Sequence, residues 1–175
     1  VSAADRKRSP EHLPQKLQFE KGKKLPDFMT SFPGCNNIFT SSKLVSSRLK
    51  ELIEHHRSEE DDWEFYPVDI LHKDGTLYAT YYVWCVTTTL DGIDETSEGI
   101  KSVGGPIDGN HLWQEFGELS PARLKVRKLI VGGLNAWIDF RFHATMDYFI
   151  SDALFQAMSD AKMTGFDAQS FWSEV

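Results

Sequence analysis

The sequence predicts an α+β fold, a single domain with a mostly antiparallel sheet and two strand–helix units, and three observations carry that expectation. Ile138, Phe140 and Phe142 alternate with Asp139, Arg141 and His143, the period of two that marks a strand with one buried face. Trp63 to Leu71 and Leu77 to Leu90 are rich in aromatic and β-branched residues and flank Asp74-Gly75, the dipeptide of a tight hairpin turn, so the two are expected to pair antiparallel. Ile38 to Val45 and Tyr148 to Phe155 match position for position, with the aromatic, the serine and the leucine identical. That likeness reads either as two strand–helix units packed side by side or as two capped helices that share only a local grammar.

In chain order, residues 1–24 read as a basic N-terminal arm in which Pro10 and Pro14 break any early helix. The domain proper is placed at 25–175. Leu25 to Met29 is its first apolar anchor, and Phe32 to Asn37 is a turn cluster. A helix is expected from about Ser42 to His56, capped at Ser41, with Leu44, Val45, Leu49, Leu52 and Ile53 as its apolar stripe. Pro67 marks the strand from Trp63 as an edge or a bulged strand. Residues 91–122, acidic and rich in glycine, read as an irregular excursion pinned by Trp113 and Phe116. Leu124 to Val131 reads as a strand, and Gly132-Gly133 as a turn. A second short strand, Asp147 to Ile150, leads to Ser151 as helix N-cap, Asp152 in the first turn, and Leu154, Phe155, Met158 and Ala161 on one face. Gly165 is expected to supply the left-handed C-cap, and a further strand follows it.

Composition narrows the function classes. No apolar run approaches the roughly 20 residues of a membrane span, and no apolar leader stands near residue 1, so a cytoplasmic protein with no membrane partner is expected. Residues 1–24 hold seven Lys or Arg against three Asp or Glu, which leaves −11 on the rest of a chain whose total is −7. Such a body repels phosphates, so nucleic acid is not expected as a partner; a basic protein is. Cys35 and Cys85 are expected as free thiols.

Chemistry is sparse. His55 and His56 are adjacent on a helix and point apart, and His72, His111 and His143 have no ligand at metal spacing, so no metal site or other cofactor is expected. There is neither a nucleophile elbow nor a phosphate loop, and an enzyme is not expected. Two acidic stretches carry the partner-binding candidates. Glu59, Glu60, Asp61 and Asp62 adjoin Trp63, and Asp91, Asp94 and Glu95 open the excursion that holds Trp113. Carboxylates around an aromatic anchor suit a partner rich in arginine or lysine. A solvated loop tip is the plainer alternative for residues 59–62.

The segments LPDFMTSF, NIFTSSKLVSSRLKELIE, EFYPVDI, YYVWCVTTTLDGID, RKLIV and FRFHATMDYFISDALFQAMSDAKMTGFDAQSF, in this order over about residues 25–170, resemble the bacterial immunity-protein family first described from a myxobacterial protein and catalogued as immunity family eleven of polymorphic toxin systems. Phe39 with Ser41, Leu90 to Asp94, and Phe149 to Leu154 are the most specific pieces. The resemblance implies a cytoplasmic antitoxin that binds and neutralises a cognate secreted toxin encoded by a neighbouring gene. Such a toxin is often delivered by type VI secretion in interbacterial competition and is often a basic nuclease. It supplies no catalytic motif. An enzyme-like antitoxin that reverses the toxin's modification and a regulatory module that binds a small ligand are the alternatives.

Overall fold

Alternation along three neighbouring strands builds the core. β3 (Lys43–Ser46), β4 (Trp63–His72) and β5 (Leu77–Val86) lie together in a five-stranded sheet, with β1 (Lys16–Phe19) and β2 (Phe28–Met29) at its edges, in the order β1-β4-β5-β3-β2. Successive side chains point to opposite faces. Leu44, Val68, Ile70, Tyr81 and Val83 therefore gather on one face with Leu17, Leu25 and Met29. Val45, Trp63, Trp84 and Val86 gather on the other. The computed structural model describes residues 16–19, 24–30, 43–107, 110–115, 123–142, 148–166 and 172–175. The turn cluster at 32–37, Cys35, Phe39, Ser41, Phe116, His143, Asp147 and the strand expected after Gly165 lie outside these residues.

The expected hairpin is present. β4 and β5 pair antiparallel from Trp63–Val86 to Leu71–Leu77, with a register shift at Ile70/Leu71. The turn closes through Gly75 N to His72 O (2.9 Å) and has Gly75 at φ +84°. Pro67 is accommodated because β1 runs parallel to β4 only along Asp69–His72, so no ladder bond is asked of it on that side among the described residues. The segment read as a basic arm thus supplies β1, whose Leu17 is buried.

The second face of the sheet carries α1 (Ser47–His55) and α3 (Asp152–Asp160), whose Leu49, Ile53, Leu154 and Met158 join Trp63 and Trp84 in one cluster. Trp84 anchors it, edge-on to Trp63 (5.9 Å) and Tyr148 (5.3 Å) and stacked on Phe65 (6.3 Å). Each such pair is worth about 1 kcal/mol beyond its buried area.

Both helices begin as the grammar requires, but the first starts later than expected. Lys43, Leu44 and Val45 are buried in β3, inside the sheet, and the N-cap is Ser46, whose Oγ accepts from Leu49 N (3.2 Å). Ser151 Oγ accepts from Leu154 N (3.1 Å) in the same way. The two units therefore correspond with Ser46 opposite Ser151, five residues from the match that sequence identity suggests. Each cap is itself held: Ser46 Oγ donates to Asp27 Oδ1 (2.8 Å) and Ser151 Oγ to Asn135 Oδ1 (3.0 Å).

The end of α3 also departs from expectation. Met163 N donates to Met158 O (3.0 Å) and Lys162 N to Ser159 O (2.9 Å), the paired bonds of a Schellman motif. Lys162, at φ +53°, occupies the left-handed position that Gly165 was expected to fill. Gly165 (φ +97°) is needed for a different reason, since a Cβ there would stand 2.0 Å from Phe28 O.

The rest of the chain forms a second group of short strands. β10 (Ala136–Asp139) runs between β11 (Phe149–Ile150), antiparallel, and β6 (Thr89–Leu90), parallel. β9 (Lys125–Val126) pairs with β12 (Ser173–Glu174). Leu124 to Val131 is not one strand: β9 gives way to α2 (Lys128–Val131), a single helical turn that buries Val131 and exposes Leu129 and Ile130. The excursion is more regular than its glycines suggest, because β7 (Ile100–Ile107) and β8 (Asn110–Glu115) pair as a hairpin whose register shifts between Val103 and Ile107. No helix among the described residues is long and apolar enough to cross a membrane.

Candidate functional site

The alternating stretch is a strand only as far as Asp139, after which Phe140 and Arg141 form a turn. Asp139 and Arg141 are each only 3% exposed, whereas Phe140 is 38% exposed. Ile138 and Phe142 stay half-buried against the core as expected of the apolar set, but the charged pair is buried as well because it meets partners from the chain's middle. Asp139 Oδ2 accepts Gly92 N (2.8 Å) and Ile93 N (2.9 Å), and its Oδ1 accepts Arg141 N (2.9 Å). Burial, with the Asp91 charge adding to it, pushes the Asp139 carboxyl above its ordinary value against those three donors.

Arg141 is the hub. Its Nε and Nη2 lie 2.8 and 2.6 Å from Asp91 Oδ1, and its Nη1 lies 3.3 Å from Glu95 Oε1. The guanidinium sits 4.9 Å from the centre of the Trp113 ring, and Trp113 N donates to Arg141 O (2.6 Å). Arg127 approaches the same oxygen of Asp91 (3.1 Å) and donates to Asp91 O. Three of the candidates, Asp91, Glu95 and Trp113, are thus brought together around an arginine absent from the candidate set. Asp94 is turned aside into its own turn, where Oδ1 accepts Thr96 Oγ1 (2.5 Å) and Thr96 N (2.8 Å), bonds that hold its carboxyl below the usual range.

The other acidic stretch divides by exposure. Asp61 is buried, with Oδ1 accepting Asn135 N (2.8 Å) and Ala136 N (3.3 Å) and Oδ2 accepting Ser58 N (2.9 Å) and Asn135 Nδ2 (3.0 Å). Trp63 is 2% exposed, donates Nε1 to Glu54 Oε1 (3.2 Å) and carries Arg57 over its ring. Glu59, Glu60 and Asp62 are exposed. The backbone of Asp62 is fixed nonetheless, its N donating to Thr88 Oγ1 (2.8 Å) and its O accepting Thr87 N (2.8 Å). The loop is therefore a rigid support for three outward carboxylates, with Asp61 as its footing.

Arg141, Asp139 and Arg127 are the residues that sequence reasoning passed over. The available signal was two opposite charges two residues apart inside an aromatic strand. A charge is costly to bury unless it finds partners, and here each finds its own: Asp139 takes three backbone N–H groups, and Arg141 takes Asp91 and Glu95. Among the described residues no group of three or more His, Cys, Asp or Glu is placed to hold a metal ion.

These elements define an α+β domain whose acidic loops are held by buried polar contacts. Its sequence matches a family model described as the immunity protein family (Imm11) over residues 3–171, and the chain belongs to that family. Membership points to an immunity-protein role. A search of curated proteins finds no match.

Proposed function

We propose that this protein is a cytoplasmic antitoxin that binds a cognate secreted antibacterial toxin without covalent chemistry and blocks its active site with acidic side chains. The observation that carries the reading is the family match over nearly the whole chain. The geometry supports it through the loop at 58–62, where Glu59, Glu60 and Asp62 project from a backbone fixed by the buried Asp61. Carboxylates carried on an ordered backbone leave only side-chain freedom to lose on docking, and their charge steers a basic partner into contact. Glu95, with 71% of its side chain exposed, adds a further outward carboxylate. Asp91 contributes to the support of that segment, because its carboxylate serves Arg141 and Arg127.

The test is co-expression with the toxin encoded by the adjoining gene, followed by co-purification and calorimetric titration. A one-to-one complex that restores growth is expected. Protection at far less than one copy per toxin, with no complex, overturns the reading in favour of an enzyme that repairs the toxin's target.

A further inference from the structure

Beside the acidic loop lies a surface with a different character. α2 turns Leu129 and Ile130 outward, Leu129 completely, while Val131 points into the core. Two adjacent large apolar side chains thus stand in water on a helical turn whose third apolar residue is buried. Directly after them the chain forms one wall of a cleft of about 260 Å³, running past Gly132 and Gly133 toward Trp137 and Trp172. Ser151 and Asp152 form part of the facing wall. The acidic loop touches this region: a Cβ on Gly133 would stand 3.1 Å from Glu60 Oε2, and Asp61 holds Asn135. Exposed Asp152 lines the cleft itself. Lys128, the basic residue of α2, is neutralised by Glu174 at 2.9 Å. Trp137 and Trp172 in the cleft wall thus lie between Asp152 and Glu60, neither of which has an ion-pair partner among the described residues.

We infer that this face, from Leu129 and Ile130 across the cleft to Glu60 and Asp152, is the surface that receives the toxin, and that it takes a basic segment carrying an apolar side chain beside lysine or arginine. The inference rests on the antitoxin reading and adds the place and the chemistry of contact. The apolar side chain buries against Leu129 and the cleft wall, and the adjacent cation is drawn to Glu60 and Asp152. This arrangement has the dry centre and charged rim of a strong interface.

The experiment uses the full chain with the toxin domain encoded beside its gene, and compares Leu129→Lys and Glu60→Lys with Glu51→Lys on the exposed face of α1. The altered side chains are exposed, and unchanged melting temperatures establish that each variant folds. The expected result is a loss of affinity of roughly 30-fold or more for Leu129→Lys and Glu60→Lys, as befits a central contact, with Glu51→Lys close to the parent. If both variants bind as tightly as the parent, the surface is overturned and the antitoxin reading stands. If the unaltered chain neither binds nor protects, the antitoxin reading falls and this surface with it. Self-association of the chain alone, abolished by Leu129→Lys, would assign the face to a second copy and overturn the proposal.

Discussion

Nη2 of Arg141 stands 2.6 Å from Oδ1 of Asp91, fifty residues earlier in the chain. The arginine side chain is 4% exposed and the aspartate 30%, so the pair joins a buried charge to one at the rim. Replacing Arg141 by Met removes its contacts with Asp91 and leaves that carboxylate to Arg127 alone, which is expected to destabilise the protein by about 2 kcal/mol. In a urea-denaturation cycle with Asp91→Ala, the double variant should lose less than the sum of the two single losses. Additive losses would show that the pair is not coupled.

The same pairing changes how the acidic segment should be tested. Reversing Asp91, Asp94 and Glu95 together would mix loss of binding with loss of structure. Glu95→Gln alone is expected to cost about 1 kcal/mol of stability or less, because Glu95, the outer member of its pair with the buried Arg141, is 71% exposed. A loss of toxin affinity in that variant, read by titration at unchanged melting temperature, would place residue 95 at the interface, and unchanged affinity would remove it.

Asp27 joins the two helices: Oδ1 accepts the Ser46 hydroxyl (2.8 Å), and Oδ2 accepts Thr164 N (3.0 Å) and its hydroxyl (3.1 Å). Burial pushes its carboxyl up, but those bonds and the Arg48 charge outweigh it and hold the carboxyl below 3.8. The unfolded chain then binds the proton more tightly. The stabilisation is fully present above pH 3.8 and is lost as pH falls through the lowered value. Asp27→Asn should cost about 2 kcal/mol at pH 7, and its stability curve should meet that of the parent in acid. Parallel curves would refute the assignment.

Lys162 and Gly165 make opposite predictions from similar backbone angles. Lys162→Gly removes a side chain from the left-handed region and should stabilise by about 0.5–1 kcal/mol in chemical denaturation. Gly165→Ala introduces both an unfavourable φ and a collision with Phe28 O, and should destabilise by about 3 kcal/mol or more. A gain in stability from the alanine would mean that the chain near Phe28 yields freely.

Local rules carried far where partners are local. The hairpin at Asp74-Gly75 needs only its own turn, and Ser151 needs only the N–H of Leu154, so both were legible. The start of α1 was not, because Leu44 and Val45 fit a helical stripe as well as they fit a strand. Sheet neighbours on both sides, at Val83 and Tyr82 and at Met29 and Phe28, decide for the strand. The burial of Asp139 was missed for a similar reason: nothing near it announces that the N–H groups of Gly92 and Ile93 will meet it. LKVRKLIV contains alternation enough for a strand, yet Arg127 donates to Asp91 O and the chain turns into α2 just after it. The candidate surface was legible as charge and illegible as geometry. Asp61 and Trp63 look in sequence like their exposed neighbours, and only the docking of Asn135 and Glu54 separates them.

That separation has an evolutionary consequence. Because one inward carboxylate fixes the loop at 58–62, the positions on either side of it can be exchanged singly at little thermodynamic cost, since surface changes away from such fixtures seldom exceed about 0.5 kcal/mol. On the proposed antitoxin reading, a lineage facing a succession of different adversaries would redraw its recognition pattern at residues 59, 60 and 62 while inheriting the same scaffold beneath it.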